Sequence, residues 1–130
     1  TMAYTNAGLS PDGSSTYFMP RKIGDRRTRE LMLTNRVLKA QEALDWGVVN
    51  QVVATGEALA AAQAMAARMA MGPTEAYAQV KQLLDASFSQ SLETQMELEA
   101  RAIASQVASV DGQEGMRAFV EKRKPQFRGE

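Results

Sequence analysis

Ala7–Gly8–Leu9–Ser10–Pro11–Asp12–Gly13–Ser14–Ser15–Thr16–Tyr17–Phe18–Met19–Pro20–Arg21 is the stretch on which the reading of this chain turns. Its first half consists of turn formers. Pro11 presets its own φ, Gly13 admits a left-handed backbone, and Asp12 between them tolerates a tight bend, so Pro11–Asp12–Gly13 reads as a turn. The hydroxyls of Ser14, Ser15 and Thr16 can then cap a helix whose apolar residues begin at Tyr17, Phe18 and Met19. Pro20 limits that helix or kinks it. A carboxylate therefore sits at a bend just ahead of a helix start.

Working outward, the residues before the turn are irregular, and those after it are mostly helical. A second helix reads from about Arg26 to Thr34, with Leu31, Met32 and Leu33 inward and Arg27, Arg29 and Glu30 outward. A short helical turn spans Ala40 to Trp46 and ends at Gly47, a good left-handed terminator. Val48–Val49–Asn50–Gln51–Val52–Val53 is brief and β-branched, and reads as the one strand. Thr55 can cap an alanine-rich helix with Glu57 in its first turn. Leu59, Ala62, Met65, Ala66 and Met69 fall on one face of that helix, and Gly72–Pro73 stops it.

Three more helices follow. Thr74 to about Phe88 puts Tyr77, Val80, Lys81 and Leu84 on one side. Ser91 to Ala108 is long and amphipathic through Leu92, Met96, Glu99, Ile103 and Val107. Asp111 with Glu114 has the form of a capping box for a last helix, which carries Met116, Phe119, Val120 and Arg123 and stops at Pro125. The predicted fold class is mainly α with one short strand.

Composition narrows the chemistry. The 130 residues are 45% hydrophobic, one domain's worth of chain, with 15 Lys plus Arg balanced by 15 Asp plus Glu. Zero formal charge gives no bulk electrostatic pull toward nucleic acid or an anionic membrane. There is no Cys and no His, so thiolate nucleophiles, disulfides, the commonest metal ligands and the usual neutral-pH base are all excluded, and no metal site is expected. Proton transfer falls to a carboxylate, Lys, Tyr or bound water. No apolar run reaches the length of a bilayer span and no signal peptide is visible. The lack of Cys fits a reducing cytoplasm. The start at Thr1 without Met suggests a piece of a larger product.

Asp12 is the first candidate for chemistry. It either only stabilises its turn or acts as a general base, and the local sequence does not decide between the two. The hydroxyls of Ser10, Ser14, Ser15 and Thr16 have no partner to activate a nucleophile, and capping accounts for them. Tyr4 and Tyr17 can orient a substrate or simply pack. The basic segment from Arg21 to Arg29 and the cluster Lys122–Arg123–Lys124 with Arg128 read as solvated faces. A functional version would meet phosphates, with Phe119 and Lys122 three apart on one helix face to stack on a ring and pair with a phosphate.

Taken together, these blocks resemble the crotonase superfamily, the enoyl-CoA hydratase/isomerase family. The resemblance rests on Ala7–Gly8–Leu9–Ser10–Pro11–Asp12–Gly13–Ser14–Ser15–Thr16, Met19–Pro20–Arg21 and Ile23–Gly24. It continues through Glu30–Leu31–Met32–Leu33–Thr34, Ala40–Gln41–Glu42–Ala43 and Trp46 to Val53. It closes with Glu114–Gly115–Met116–Arg117–Ala118–Phe119–Val120–Glu121–Lys122–Arg123, Pro125 and Phe127. The order and spacing are family-like over nearly the whole chain.

The resemblance implies the C-terminal helical part of a crotonase-like (ClpP/crotonase) α/β spiral fold. Residues 1–54 would be the end of the spiral core with the active-site turn, and 55–130 a helical trimerisation region. It places most of the spiral before Thr1, together with the two loops whose backbone N–H groups polarise the thioester carbonyl. The first hydratase acid would also lie upstream, and the second falls at Tyr4, which is no carboxylate base. The Pro–Asp–Gly turn is closest to that of the phenylacetate-pathway epoxide isomerases and dienoyl-CoA isomerases, where the matching Asp shuttles a proton. The implied catalytic residue is thus Asp12, with Tyr4, Leu9, Pro11 and Tyr17 around the substrate and Phe119 and Lys122 at its CoA end. An acyl-CoA isomerase in fatty acid or phenylacetate metabolism is expected, with an acyl-CoA substrate, no cofactor beyond the coenzyme A it carries, and a homo-oligomer (trimer or dimer of trimers). A hydratase of the same family, or a non-catalytic oligomerisation fragment, are the competing readings.

Overall fold

Gly24 makes the first corner of the molecule, and its φ of 82° is why a glycine stands there. The computed structural model describes residues 1–130. They form seven α-helices and one 3-10 turn, in two compact units, Thr1–Ala58 and Leu59–Glu130.

In the first unit the 3-10 turn Ala3–Ala7 precedes α1 (Ser15–Ile23), α2 (Asp25–Thr34) and α3 (Ala40–Asp45). Gly24 closes α1 by donating its N–H to Pro20 O, and opens α2 by accepting from the N–H and the hydroxyl of Thr28. α1 packs on α2 around buried Ile23, Thr28, Leu31 and Met32. Leu33, expected inward, is instead 71% exposed. Three consecutive residues span too much of a 3.6-residue turn for all of them to face one core. α1 runs through Pro20 rather than ending there.

Past α2, Arg36 gathers the segment leading to α3. Its guanidinium donates to Glu30 Oε1 at 2.6 Å and, as a fork, to both oxygens of Glu42 at 2.7 and 2.9 Å. These two carboxylates, Glu42 foremost, raise the Arg36 pKa, while Arg36 lowers that of Glu42. Trp46 lies against both Arg36 and Arg27, with their guanidinium carbons 5.0 and 4.6 Å from its ring.

The expected strand Val48–Val53 is absent, and the chain has no strand at all. The Val48 and Val49 N–H groups turn back to Ala43 O, finishing α3. β-branched residues favour a pleated surface only where a neighbouring strand takes their backbone groups, and none does so here.

The second unit takes in α4 (Ala58–Ala70, from Leu59 on), α5 (Thr74–Ser87), α6 (Leu92–Ala108) and α7 (Val110–Val120). α5 packs on α6, and α6 on α7. The predicted apolar face of α4 is real as a pattern, but Leu59, Met65 and Met69 are exposed. Ser91 caps α6 as expected, its hydroxyl accepting from Thr94 N–H at 3.2 Å.

The capping box expected from Asp111 and Glu114 is not formed. Ser109 caps α7 by accepting from Gly112 N–H at 2.9 Å and donating to Gln106 O at 2.7 Å. Gly112 is needed in this corner, since a Cβ there would stand 1.8 Å from Gln106 O. The two carboxylates serve the returning C-terminal tail instead. Asp111, 2% exposed, accepts from the N–H groups of Arg128 and Gly129 at 2.7 and 2.9 Å. Glu114 accepts from Gln126 N–H and from both terminal nitrogens of Arg123.

Candidate functional site

The chain folds locally so that Tyr4 and Asp12, eight residues apart, meet. Tyr4 rides on the 3-10 turn, which Gly8 closes with a left-handed φ of 70°. That turn is fastened to the end of α2. Thr5 Oγ1 donates to Met32 O at 2.9 Å and accepts from Asn35 Nδ2 at 2.6 Å, and Thr1 Oγ1 donates to Asn35 O.

Asp12 is held from the other side. Its carbonyl accepts both the N–H and the hydroxyl of Ser15, at 3.1 and 2.7 Å. The bend therefore runs Asp12–Gly13–Ser14–Ser15, one residue later than Pro11–Asp12–Gly13 suggests. Its central residues Gly13 and Ser14 both have positive φ, 60° and 62°. Ser14 precedes the helix in that left-handed conformation, so its hydroxyl makes no cap bond, contrary to expectation, and Ser15 braces Asp12 rather than the helix end.

Across this bend the Tyr4 phenol donates to Asp12 Oδ1 at 2.7 Å. The hydrogen bond to the carboxylate, then its charge, raises the Tyr4 pKa. The phenol thus stays a proton donor, and a carboxylate with one oxygen occupied is presented at an exposed bend. Such a group can take a proton from carbon or oxygen and return it.

The other expected substrate residues lie as follows. Leu9 is exposed and Pro11 half-buried, on the loop between Tyr4 and Asp12. Tyr17 is on α1 with the Arg21 guanidinium 3.6 Å from its ring centre and Phe18 edge-on at 5.1 Å. Sequence reasoning missed the Tyr4–Asp12 pair, because an irregular turn has no periodicity that would place two residues eight apart side by side.

In the second unit, Phe119 lies on α7 and is 84% exposed. Lys122 is not on that helix, contrary to the expected shared face. The Lys122 and Arg123 N–H groups return to Phe119 O and Ala118 O, a helix-ending motif that puts Lys122 in the left-handed region at φ 52°. Arg123, expected on a solvated basic face, is taken up by Glu114 and Glu121. Glu114 is thereby lowered to about 2, Arg123 being the chief cause and Gln126 N–H the next. An open cavity of about 670 Å³ adjoins this clamp, with Arg117 and Arg128 in its wall. No helix is long and apolar enough to cross a membrane.

The pattern of the family described as enoyl-CoA hydratase/isomerase matches residues 1–130, and the chain belongs to that family. It is 37% identical over 127 residues to a protein of Rhodobacter capsulatus named "probable enoyl-CoA hydratase", covering 98% of this chain and 49% of that one. It is 36% identical over 128 residues to 1,2-epoxyphenylacetyl-CoA isomerase of Escherichia coli, again covering 98% of this chain and 49% of the relative. Among solved structures, an enoyl-CoA hydratase from a Polaromonas species superposes with a TM-score of 0.93 at 33% identity, over 98% of this chain and 49% of that one. The all-helical chain thus matches crotonase-fold enzymes, and it spans about half the length of the curated relatives it matches.

Proposed function

We propose that this chain is the C-terminal half of an acyl-CoA isomerase in which Asp12 moves a proton between carbons beside the thioester. The observation that carries the reading is the Asp12 carboxylate, braced by Ser15 and bonded by Tyr4 at an exposed bend. Asp12 takes a proton from a carbon conjugated with the thioester. The C–H electron pair passes into the carbonyl as an enolate, and Asp12 returns the proton at another carbon, restoring both charges. The enolate oxygen needs hydrogen-bond donors to be stable, and these fall to the part of the family fold that this chain does not cover.

In this reading residues 1–54 end the spiral core and 55–130 form a trimerisation region, with an assembly of three or six copies in the cytoplasm. Phe119 and Lys122 meet the adenine and phosphate end of coenzyme A, and Leu9, Pro11 and Tyr17 lie along the acyl group. A substrate resembling that in the name of the Escherichia coli relative, from phenylacetate breakdown, fits better than water addition. A two-carboxylate hydratase has its second acid where this chain has Tyr4, and the Tyr4 phenol is a donor rather than a base. The name of the Rhodobacter capsulatus relative favours the hydratase alternative, which would need another acid.

The test uses the full-length protein that carries these residues. Asp12→Asn should still bind an acyl-CoA within a few-fold of wild type while losing about 10²- to 10⁴-fold in turnover, the usual range for a proton-transfer group. Full-rate exchange of the substrate α- or γ-proton in Asp12→Asn would remove Asp12 from the mechanism. The absence of saturable acyl-CoA binding in the wild type would leave only an assembly role.

A further inference from the structure

We propose that Tyr4 is the positioning residue for Asp12: its phenol occupies Oδ1 and so assigns proton transfer to Oδ2. The inference rests on the proton-shuttle reading of Asp12 and goes beyond it by saying which oxygen reacts and what fixes it. The two syn-facing oxygens of a carboxylate on a surface bend are interchangeable by rotation about χ2, a broad torsion with no sharp preference of its own. At 2.7 Å from Tyr4 Oη, Oδ1 is tied to one place. The tie is built rather than incidental, because each end has its own anchor. Tyr4 sits on a turn locked to α2 through Thr5, Met32 and Asn35, and the Asp12 backbone is locked through Ser15.

The chemistry agrees with the geometry. The raised pKa of Tyr4 means that it does not give up its own proton to the carboxylate at neutral pH. Tyr4 thus donates throughout the cycle and never exchanges places with the substrate. Among titratable side chains, Tyr4 is the one hydrogen-bonded to this carboxylate. A positioning residue of this kind acts on the barrier more than on substrate affinity, because a wandering acceptor oxygen loses the near-attack geometry without losing the binding pocket.

Tyr4→Phe in the full-length protein, which keeps the ring and removes only the hydroxyl, is the test. The expected result is a fall in kcat of about 10-fold or more with KM within about twofold. A readout independent of turnover comes from ultraviolet titration of the phenols at alkaline pH. The Tyr4 phenol, identified by its absence in Tyr4→Phe, should titrate at lower pH in Asp12→Asn than in wild type.

Wild-type kcat in Tyr4→Phe would overturn the inference, and so would a Tyr4 titration unchanged by Asp12→Asn. A loss of kcat matched by a rise in KM of similar size, with a lower melting temperature, would reduce Tyr4 to a purely structural role, and would also overturn it. The two readings separate cleanly. Full activity in Asp12→Asn defeats the shuttle itself, whereas wild-type kcat in Tyr4→Phe beside a dead Asp12→Asn defeats only the positioning role.

Discussion

Replacing Asp111 by Ala should release the C-terminal tail from α7. The carboxylate is 2% exposed and accepts the N–H groups of Arg128 and Gly129 at 2.7 and 2.9 Å, while the Asp111 N–H donates to Glu130 O at 2.8 Å. A hydrogen bond to a charged group contributes about 1.5–3 kcal/mol, so two of them set a range of about 3–6 kcal/mol if the tail stays in place with its donors orphaned. The tail can instead lift away and return its N–H groups to water, which holds the loss near the lower end, about 3 kcal/mol. For a domain of this size that corresponds to about 10 °C in melting temperature. Asp111→Asn, which keeps one acceptor oxygen, should lose about half as much. The assay is thermal unfolding by circular dichroism, joined to amide hydrogen exchange at Arg128 and Gly129. Loss of protection at those two amides, with α5 and α6 protected as before, is the expected pattern. A melting temperature within about 1 °C of wild type, with both amides still protected, would refute the claim that Asp111 pins the tail.

The Glu114–Arg123 clamp should give a pH signature. Arg123 lowers Glu114 from 4.5 to about 2, a depressed folded-state pKa, so its stabilisation is present above about 4.5 and is lost as pH falls toward 2. Wild type should lose stability across that window more steeply than Glu114→Gln, and identical slopes would contradict the assignment. Lys122→Gly should relieve a left-handed φ of 52° and raise stability by up to about 1 kcal/mol. In the same variant acyl-CoA should bind more weakly if Lys122 meets phosphate. Thermal melts and a binding titration read the two effects separately, and lower stability would contradict the backbone argument.

Much of the helical layout was legible from local chemistry. Ser91 caps α6, Gly72–Pro73 lies between α4 and α5, and Leu31 and Met32 are buried on α2, because caps, breakers and a 3.6-residue period act within a few residues. What depends on a partner was not legible. Val48–Val53 has strand composition, but nothing in its own sequence supplies the neighbour that a strand requires. Leu59, Met65 and Met69 share a face of α4, yet the pattern does not say what covers it, and in this chain they are exposed. Asp111 and Glu114 have the spacing of a cap and are recruited by a tail that returns from more than ten residues away, which a spacing rule does not weigh. The same holds at the candidate site. Asp12 was a candidate from its turn, whereas its bond to Tyr4 follows from how the 3-10 turn docks on α2, a tertiary fact that no motif encodes.

The most direct measurement follows a labelled hydrogen. An acyl-CoA carrying deuterium at the carbon that loses its proton is turned over in ordinary water by the full-length protein, and the product is analysed by mass spectrometry and NMR. A single carboxylate that takes the proton and returns it should leave part of the deuterium at the new carbon in the early product, with Asp12→Asn forming almost none of that product. Isomerisation at the wild-type rate in Asp12→Asn, with the label distributed as before, would contradict the assignment of proton transfer to Asp12.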